Sequence, residues 1–563
     1  MKNILTNLLI KTVGKQAFKK IFKGTEKPMQ QQHKFLMALL KRNANTDYGK
    51  KYNFKDIHNI NDYQSNVPAV EYSQLKEYIH SHTHLDGNGL IEGQPDHFAT
   101  TSGSTGEPKF IPISESTFKF EKLFTKASAY IIQKLQPQSF DGNILQITSK
   151  ALEGYTTNSL VFGSATGQIE NNNPKFIKEK YTLHESTFLI EDFESRYYCI
   201  LRQAVEQSLS LITTENPSTL ILLSHLMMKW EKELIEDIFR GTIQKKFQCE
   251  HAAQILETLK PNPKLAHHLK SMIAQSEYKS LTPKMVWPDL KTIVCWTGGN
   301  CAHYLRQLPE YFGDQVSIKD PGYLASELRG TLPLSLDSAA GLPTFNHNFY
   351  EFILKAEINE PTAKFHTLDN VEQGKQYYIF ITNASGLYRY NINDIVEIKG
   401  SYDNVPLFEF IQKGKAITNL VGEKIYEQQV RKVVENSAYD NKVELSFYIV
   451  YANQRRNGYE LYIQSENITF ENSKNFAQIV DETLQLENIE YKQKRQSLSL
   501  NPLRIIILNE RSFENYKKFK VDFDGVRDMQ FKMNYLTDNQ ADIASLHSNI
   551  RTNAEDIEEQ LDT

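Results

Sequence analysis

The run Thr100-Thr101-Ser102-Gly103-Ser104-Thr105-Gly106-Glu107-Pro108-Lys109 gathers hydroxyls and glycines and ends in a lysine. Glycine lets backbone N–H groups approach phosphate oxygens, hydroxyls add donors, and a lysine adds compact positive charge. Thr101, Ser102, Gly103, Ser104, Thr105, Gly106 and Lys109 are therefore candidates for a phosphate cradle. The run is not a Walker A loop, because Pro108 precedes Lys109 and Phe110 follows it where GxxxxGKS/T spacing is required. The competing reading is an ordinary flexible turn, since such clusters are common in loops.

Two further stretches carry groups that suit a nucleotide. In Gly322-Tyr323-Leu324-Ala325-Ser326-Glu327 the aromatic ring can stack on a purine, and the carboxylate can hold the Mg²⁺ that partners ATP. Alone, the same spacing describes a packed ring and a solvated charge. In Leu387-Tyr388-Arg389-Tyr390-Asn391-Ile392-Asn393-Asp394-Ile395-Val396, Asp394 at a strand entrance could accept hydrogen bonds from a ribose diol. Arg389 could answer a phosphate or pair with a carboxylate.

Taken in order, these constellations resemble the GH3 family of plant acyl-acid amido synthetases, and especially its bacterial members. Val286-Trp287-Pro288-Asp289-Leu290, Cys295-Trp296-Thr297-Gly298-Gly299 and the 322–327 motif together look like that family's central segment. The resemblance spans nearly the whole chain. It implies the adenylate-forming α/β fold shared with firefly luciferase and acyl-CoA synthetases. A large ATP- and acyl-binding domain (1–413) would precede a smaller mobile α+β domain (414–563), with a hinge near 414–424.

On the matching positions the resemblance implies these roles. Ser102–Gly106 and Lys109 form the phosphate loop. Thr297, Gly298 and Gly299 lie beside adenosine and acyl group, Tyr323 stacks on adenine, and Ser326 neighbours phosphate or metal. Glu327 is the Mg²⁺ ligand and Asp394 holds the ribose. Gly422-Glu423-Lys424 resembles the hinge and Lys532 the mobile C-terminal lysine, with Lys517, Lys518 and Lys520 as nearby competitors. Lys109, Glu327 and Lys532 would be the catalytic set. The chain departs from the family's usual pattern at four positions. Leu328 stands where glycine is common, and Lys415, assigned to the nucleotide, stands where arginine is common; a lysine cannot reproduce arginine's fork. Asn534 and Tyr535 replace a common proline and arginine.

The implied reaction is ATP-dependent activation of a small carboxylic acid followed by transfer to an amine or amino-acid acceptor. Thioester formation with coenzyme A, or nucleotide binding without turnover, are the alternatives.

Groups so far apart in sequence need a framework that brings strand ends together. Lys291–Trp296, Gln376–Thr382 and Ile395–Ile398 read as buried strands followed by turns, and Gln32–Lys41 as a helix. Leu220–Ile238 reads as one long amphipathic helix, a core element or part of an acyl pocket. Beyond Gly414 the pattern is finer: helices near Glu427–Asn436 and Asn475–Leu484, strands near Glu444–Tyr451, Tyr459–Gln464 and Leu503–Leu508, and a short helix from Arg511. Asn553–Thr563 reads as a frayed acidic tail.

The whole-chain balance narrows the partners. The chain has 563 residues, room for two or three domains. Its 64 Lys and Arg nearly cancel 68 Asp and Glu, which removes the footprint of a nucleic-acid binder. Four scattered cysteines form neither a disulfide framework nor a zinc pair, which fits a reducing cytoplasm. Met1–Gly24 reads as a helix packed against its own protein rather than a signal peptide, with an interfacial helix as the alternative. No run is long and apolar enough for stable membrane insertion. The sequence leaves oligomeric state open and is compatible with a monomer.

Overall fold

The computed structural model describes residues 2–551 except 85–86, 102–108, 149–150, 165–166, 168–174, 277–278, 299–300, 359, 361, 415–416, 419, 421–422, 424, 497–499, 523–530 and 532. The chain divides into two units, Met1–Ile411 and Gln412–Thr563.

In the first unit, buried apolar runs form a four-stranded parallel sheet in the order Asn143–Ile147, Leu209–Thr214, Thr292–Val294, Ser317–Lys319. Parallel strands are covered on both faces, so their sequences read as near-continuous hydrophobic stretches rather than alternating ones. A second four-stranded sheet pairs Lys109–Ile113, His97–Thr101, Val161–Gly163 and Gly154–Tyr155. A third, of six strands, runs Thr331–Pro333, Gly341–Pro343, Val405–Lys413, Tyr390–Tyr402, Gln376–Asn383, Asn348–Leu354.

The helix Glu115–Leu135 starts where the Ser114 hydroxyl accepts the Thr117 N–H, a side-chain cap on an otherwise unmet donor. Against it lies the N-terminal segment, helical over Lys2–Leu9 and Lys15–Ile21 with a wider π turn at Ile10–Gly14. Ile10, Ala17 and Ile21 are buried there, as expected of a helix packed on its own protein, while Leu5 and Leu8 face outward. The contact is tight at Gly14, where a Cβ would stand 2.6 Å from the Lys126 carbonyl oxygen and from Tyr130 Cβ. Among the described residues no helix is long and apolar enough to cross a membrane.

Two expectations change. Leu220–Ile238 is not one helix but two, Ser218–Lys229 and Glu231–Arg240, separated at Trp230 (φ −105°, ψ 18°). The buried Trp230 ring packs edge-on against Tyr198 and Phe247, so tertiary packing overrides a continuous helical pattern. The Ile395–Ile398 strand extends to Tyr390–Tyr402, which places Asp394 inside the strand rather than at its entrance.

The second unit is α+β, with a sheet ordered Asn501–Ile507, Gly458–Ser465, Leu445–Asn453, Leu536–Thr537. Its helices include Glu427–Asp440, Phe470–Glu487 and Ser512–Asp522, and also Ile489–Gln496, which the sequence pattern did not single out. The acidic tail 553–563 lies outside the described residues.

Candidate functional site

The strands Thr292–Val294 and Ser317–Lys319 are parallel neighbours, so their carboxyl ends lie side by side, the usual place for a ligand in an open α/β sheet. The turns that leave them are tied by one carboxylate. The Thr297 N–H and hydroxyl donate to Asp320 Oδ2 at 2.6 and 2.9 Å, and the Gly322 N–H donates to Oδ1 at 2.7 Å. Burial raises the Asp320 pKa, and the Thr297 and Gly322 donors and Lys319 pull it back. Lys319 is fully buried and donates to the Asp320 and Pro333 carbonyls at 2.9 and 3.2 Å; burial pushes its pKa down to about 8. Gly298 comes close to the Val405–Lys413 strand of the six-stranded sheet: a Cβ there would stand 3.2 Å from the Phe410 carbonyl oxygen.

Directly after this latch, the Tyr323 hydroxyl donates to Asp394 Oδ2 at 2.7 Å. Its ring lies parallel to Phe410, with centroids 6.1 Å apart and planes at 6°. Burial first, then the Asp394 carboxylate, hold the phenol well above its ordinary pKa, so it stays a donor. The chain then makes a hairpin, Leu324–Ala325 with Leu328–Arg329, leaving Ser326 and Glu327 at its tip. Asn383 Nδ2 pins that tip by donating to the Glu327 carbonyl at 2.8 Å, and the Ser326 hydroxyl lies 3.5 Å from the Thr100 carbonyl oxygen. Leu328, the departure from glycine, opens the hairpin's second strand and is buried.

Thr101 closes one strand and Lys109 opens its antiparallel partner, the two facing each other in register. The strand ends on either side of positions 102–108 therefore stand beside the hairpin tip through Thr100, and Lys109 Nζ sits 5.4 Å over the Tyr72 ring. Ser102–Gly106, Gly299, Lys415, Gly422, Lys424 and Lys532 lie outside the described residues.

The Glu327 carboxylate is half-buried and close enough to Tyr323 and Tyr390 to raise both phenols. Among the described residues no cluster of three or more His, Cys, Asp or Glu side chains could hold a metal. A single carboxylate fits Mg²⁺ that arrives with a nucleotide, because such an ion takes one or two carboxylates and completes its shell with phosphate oxygens and water.

Of the two roles open to Arg389, the structure assigns the structural one. Its Nε lies 3.1 Å from both Glu351 oxygens and Nη2 lies 3.0 Å from Oε1. Nη1 donates to the Gln64 and Val67 carbonyls at 2.8 and 2.7 Å, and the guanidinium rests 4.1 Å over Phe365. Both partners are buried, leaving no approach for a phosphate. In the second unit Lys520 is paired with Asp542 and Lys517 is buried, which leaves Lys518 as the exposed competitor of Lys532. Glu423 is buried and accepts the Leu420 N–H at 2.7 Å and the Tyr459 hydroxyl.

Sequence reasoning missed Asp320 and Lys319. The available signal was a charged pair directly after a buried strand and before Pro321-Gly322.

The profile of the GH3 family N-terminal domain matches residues 17–317, that of the central domain 341–413 and that of the C-terminal domain 428–541. The chain belongs to the GH3 family. Indole-3-acetic acid-amido synthetase GH3.4 of Arabidopsis thaliana is 25% identical over 90% of this chain and 89% of its own length. Jasmonoyl--L-amino acid synthetase JAR4 of Nicotiana attenuata is 24% identical over 74% of each chain. Among solved structures, AtGH3.15 acyl acid amido synthetase in complex with 2,4-DB superposes with a TM-score of 0.84 at 21% identity, covering 96% of both chains. A 2-hydroxyisobutyryl-CoA ligase in complex with 2-HIB-AMP superposes at 0.52 and 11% identity, over 94% of this chain and 92% of the other. The GH3 fold of this chain is thus the α/β fold of adenylate-forming enzymes.

Proposed function

We propose that this GH3 protein is an ATP-dependent acyl-acid amido synthetase. A carboxylate oxygen of a small acid attacks the α-phosphorus of ATP, the α–β phosphoanhydride breaks, and pyrophosphate leaves. The amine nitrogen of an amino acid then attacks the acyl carbon, the bond to AMP breaks, and the amine gives up a proton as the amide forms.

The observation that carries this reading is the convergence of Tyr323, Asp394 and the Glu327 hairpin tip beside the ends of the 101–109 loop. In this arrangement Tyr323 and Gly298 border the adenine, Asp394 takes the ribose, and the loop with Lys109 faces the phosphates. The chain's task is charge management: donors already in place stabilise the negative charge that builds on phosphoryl oxygens during attack. Mg²⁺, held by Glu327, would neutralise phosphate charge. The 414–424 segment serves as the hinge of a mobile 414–563 domain, which brings Lys532 to one half-reaction.

Acid-dependent exchange of labelled pyrophosphate into ATP tests the first half-reaction. A panel of acids offered amino acids or coenzyme A, with products identified by mass, tests the second. The expected product is the amide; a product with coenzyme A alone overturns the amide reading, and absence of exchange with every acid overturns adenylation.

A further inference from the structure

The helical segment 2–21 presents two faces to different surroundings. Ile10, Gly14, Ala17 and Ile21 are buried on the body of the first unit. Asn7 is tied down as well: its Nδ2 donates to Asp141 Oδ1 at 2.7 Å, and Gln133 Nε2 donates to the Asn7 carbonyl and Oδ1 at 3.0 and 2.9 Å. These contacts set the direction of the opposite face. On it Leu5, Leu8 and Val13 are 59%, 55% and 41% exposed. A single exposed leucine is ordinary. Among the described residues, however, three of the eleven large hydrophobics that stand exposed fall within these nine positions. Leu5 and Leu8, three apart in a helix, are neighbours and form one apolar knob.

The charge around that knob has one sign. Positions 1–25 hold six lysines, no arginine and no aspartate or glutamate, in a chain whose acids outnumber its bases 68 to 64. Lys11, Lys15, Lys19 and Lys20 are exposed, and so is Lys126 on the Glu115–Leu135 helix, whose backbone lies against Gly14. Other helices of this chain pair a base with an acid one turn away, as Lys119 with Glu115 and Arg240 with Glu236, each at 2.6 Å. Among the described residues no carboxylate stands within ion-pair distance of Lys11, Lys15, Lys19 or Lys20. A face that is merely solvated mixes its charges. This one joins unpaired lysines to outward leucines.

That combination selects a partner. Protein interfaces are enriched in arginine and depleted of lysine, whose compact ammonium is strongly hydrated. A nucleic acid backbone would meet the lysines and leave Leu5 and Leu8 in water. An anionic lipid surface meets both, because its headgroups attract the lysines and the boundary with the acyl chains takes the leucines.

We propose that the outward face of the 2–21 segment docks on an anionic lipid surface, with Leu5 and Leu8 entering the boundary between headgroups and acyl chains and Lys11, Lys15 and Lys19 over the headgroups. The docking is peripheral, since the segment interrupts its apolar residues with lysines and does not span a bilayer. It is independent of the reaction proposed above. Each lysine held near such a surface is worth about fivefold in binding, and a short apolar insertion alone binds only marginally, so the two attractions act together and reversibly.

The test is cosedimentation of the full chain with vesicles of phosphatidylcholine alone and with vesicles in which phosphatidylserine makes up about a third of the lipid. The chain is expected to bind the mixed vesicles at least about tenfold more tightly, and to leave them in about 0.5 M salt, where surface charge is screened. Leu5→Ser with Leu8→Ser keeps every lysine, and Lys15→Glu with Lys19→Glu keeps every leucine; each pair should weaken binding about tenfold or more. All four side chains are exposed, so urea unfolding of both variants should match the wild type. Leu486→Ser removes a leucine that is 82% exposed in the second unit and should leave vesicle binding within about twofold. Absence of binding to the mixed vesicles, equal binding to both lipids, or wild-type binding by either double variant overturns the proposal. So does a dimer seen by sedimentation velocity without lipid that Leu5→Ser with Leu8→Ser abolishes, because the face would then belong to a second copy of the chain.

Discussion

Replacing Arg389 with methionine separates a structural arginine from a phosphate-binding one. The guanidinium is buried, meets both oxygens of Glu351, and donates to the Gln64 and Val67 carbonyls. Methionine fills much of the volume but leaves Glu351 buried with Gln64 Nε2, at 3.0 Å, as its remaining side-chain donor. Breaking a buried pair by removing one partner costs about 3–5 kcal/mol, and the two carbonyls that lose donors add about 1 kcal/mol or more. The expected loss is about 4–6 kcal/mol in the transition that unfolds the Met1–Ile411 unit. The paired change Arg389→Met with Glu351→Met removes the stranded charge and should recover about half of it, a coupling that a double-mutant cycle reads directly. Urea unfolding followed by intrinsic fluorescence measures this, with the two units fitted as separate transitions because a single unfolding free energy does not describe a two-unit chain. A single mutant with wild-type stability and a KM for ATP raised more than about tenfold would refute the structural assignment and return Arg389 to the phosphates.

Three further outcomes are expected. His82 is buried and its Nε2 accepts the Leu90 N–H at 2.9 Å; burial holds its folded pKa at about 4 against 6.5 unfolded, so the unfolded chain binds the extra proton first. Stability should fall as pH drops from about 6.5 toward 4, by about 3 kcal/mol from this residue, and His82→Gln should flatten that limb in urea titrations; equal slopes in both proteins would count against it. Gly14→Ala should cost about 1–3 kcal/mol despite alanine's better helix propensity, because its Cβ meets the Lys126 backbone, and limited proteolysis should release the N-terminal segment sooner. Lys532→Ala should slow one half-reaction more than the other, measured as pyrophosphate exchange against amide formation; equal, negligible effects would remove Lys532 from the mechanism.

What could be read from the sequence was what local composition carries. The strand 376–383 declares itself through an unbroken β-branched and aromatic run. Tyr323 and Asp394 were each legible as motif residues, but the hydrogen bond that joins them spans 71 positions and links the segment just before the 324–329 hairpin to the Tyr390–Tyr402 strand. Arg389 shows the limit more sharply. Its two roles look alike in sequence, and the deciding partner, Glu351, lies 38 residues upstream on a strand two places away in the same sheet from the one Arg389 leads into.

The residues that were missed share a cause. Asp320 stands before Pro321-Gly322, where an aspartate ordinarily marks a turn. Its actual work is to fasten that turn to the one after Val294, which requires two parallel strands to end together. Glu121 lies in a helix whose other residues explain its pattern, and Arg329 in a two-residue strand. Neither suggests a partner until packing places one against the other as a buried ion pair. Sequence periodicity records which face of an element is buried, but a charged residue on that face looks like an error in the pattern. Packing makes it informative: a carboxylate kept in the interior beside a guanidinium is a paired charge rather than a break in the helix's apolar face.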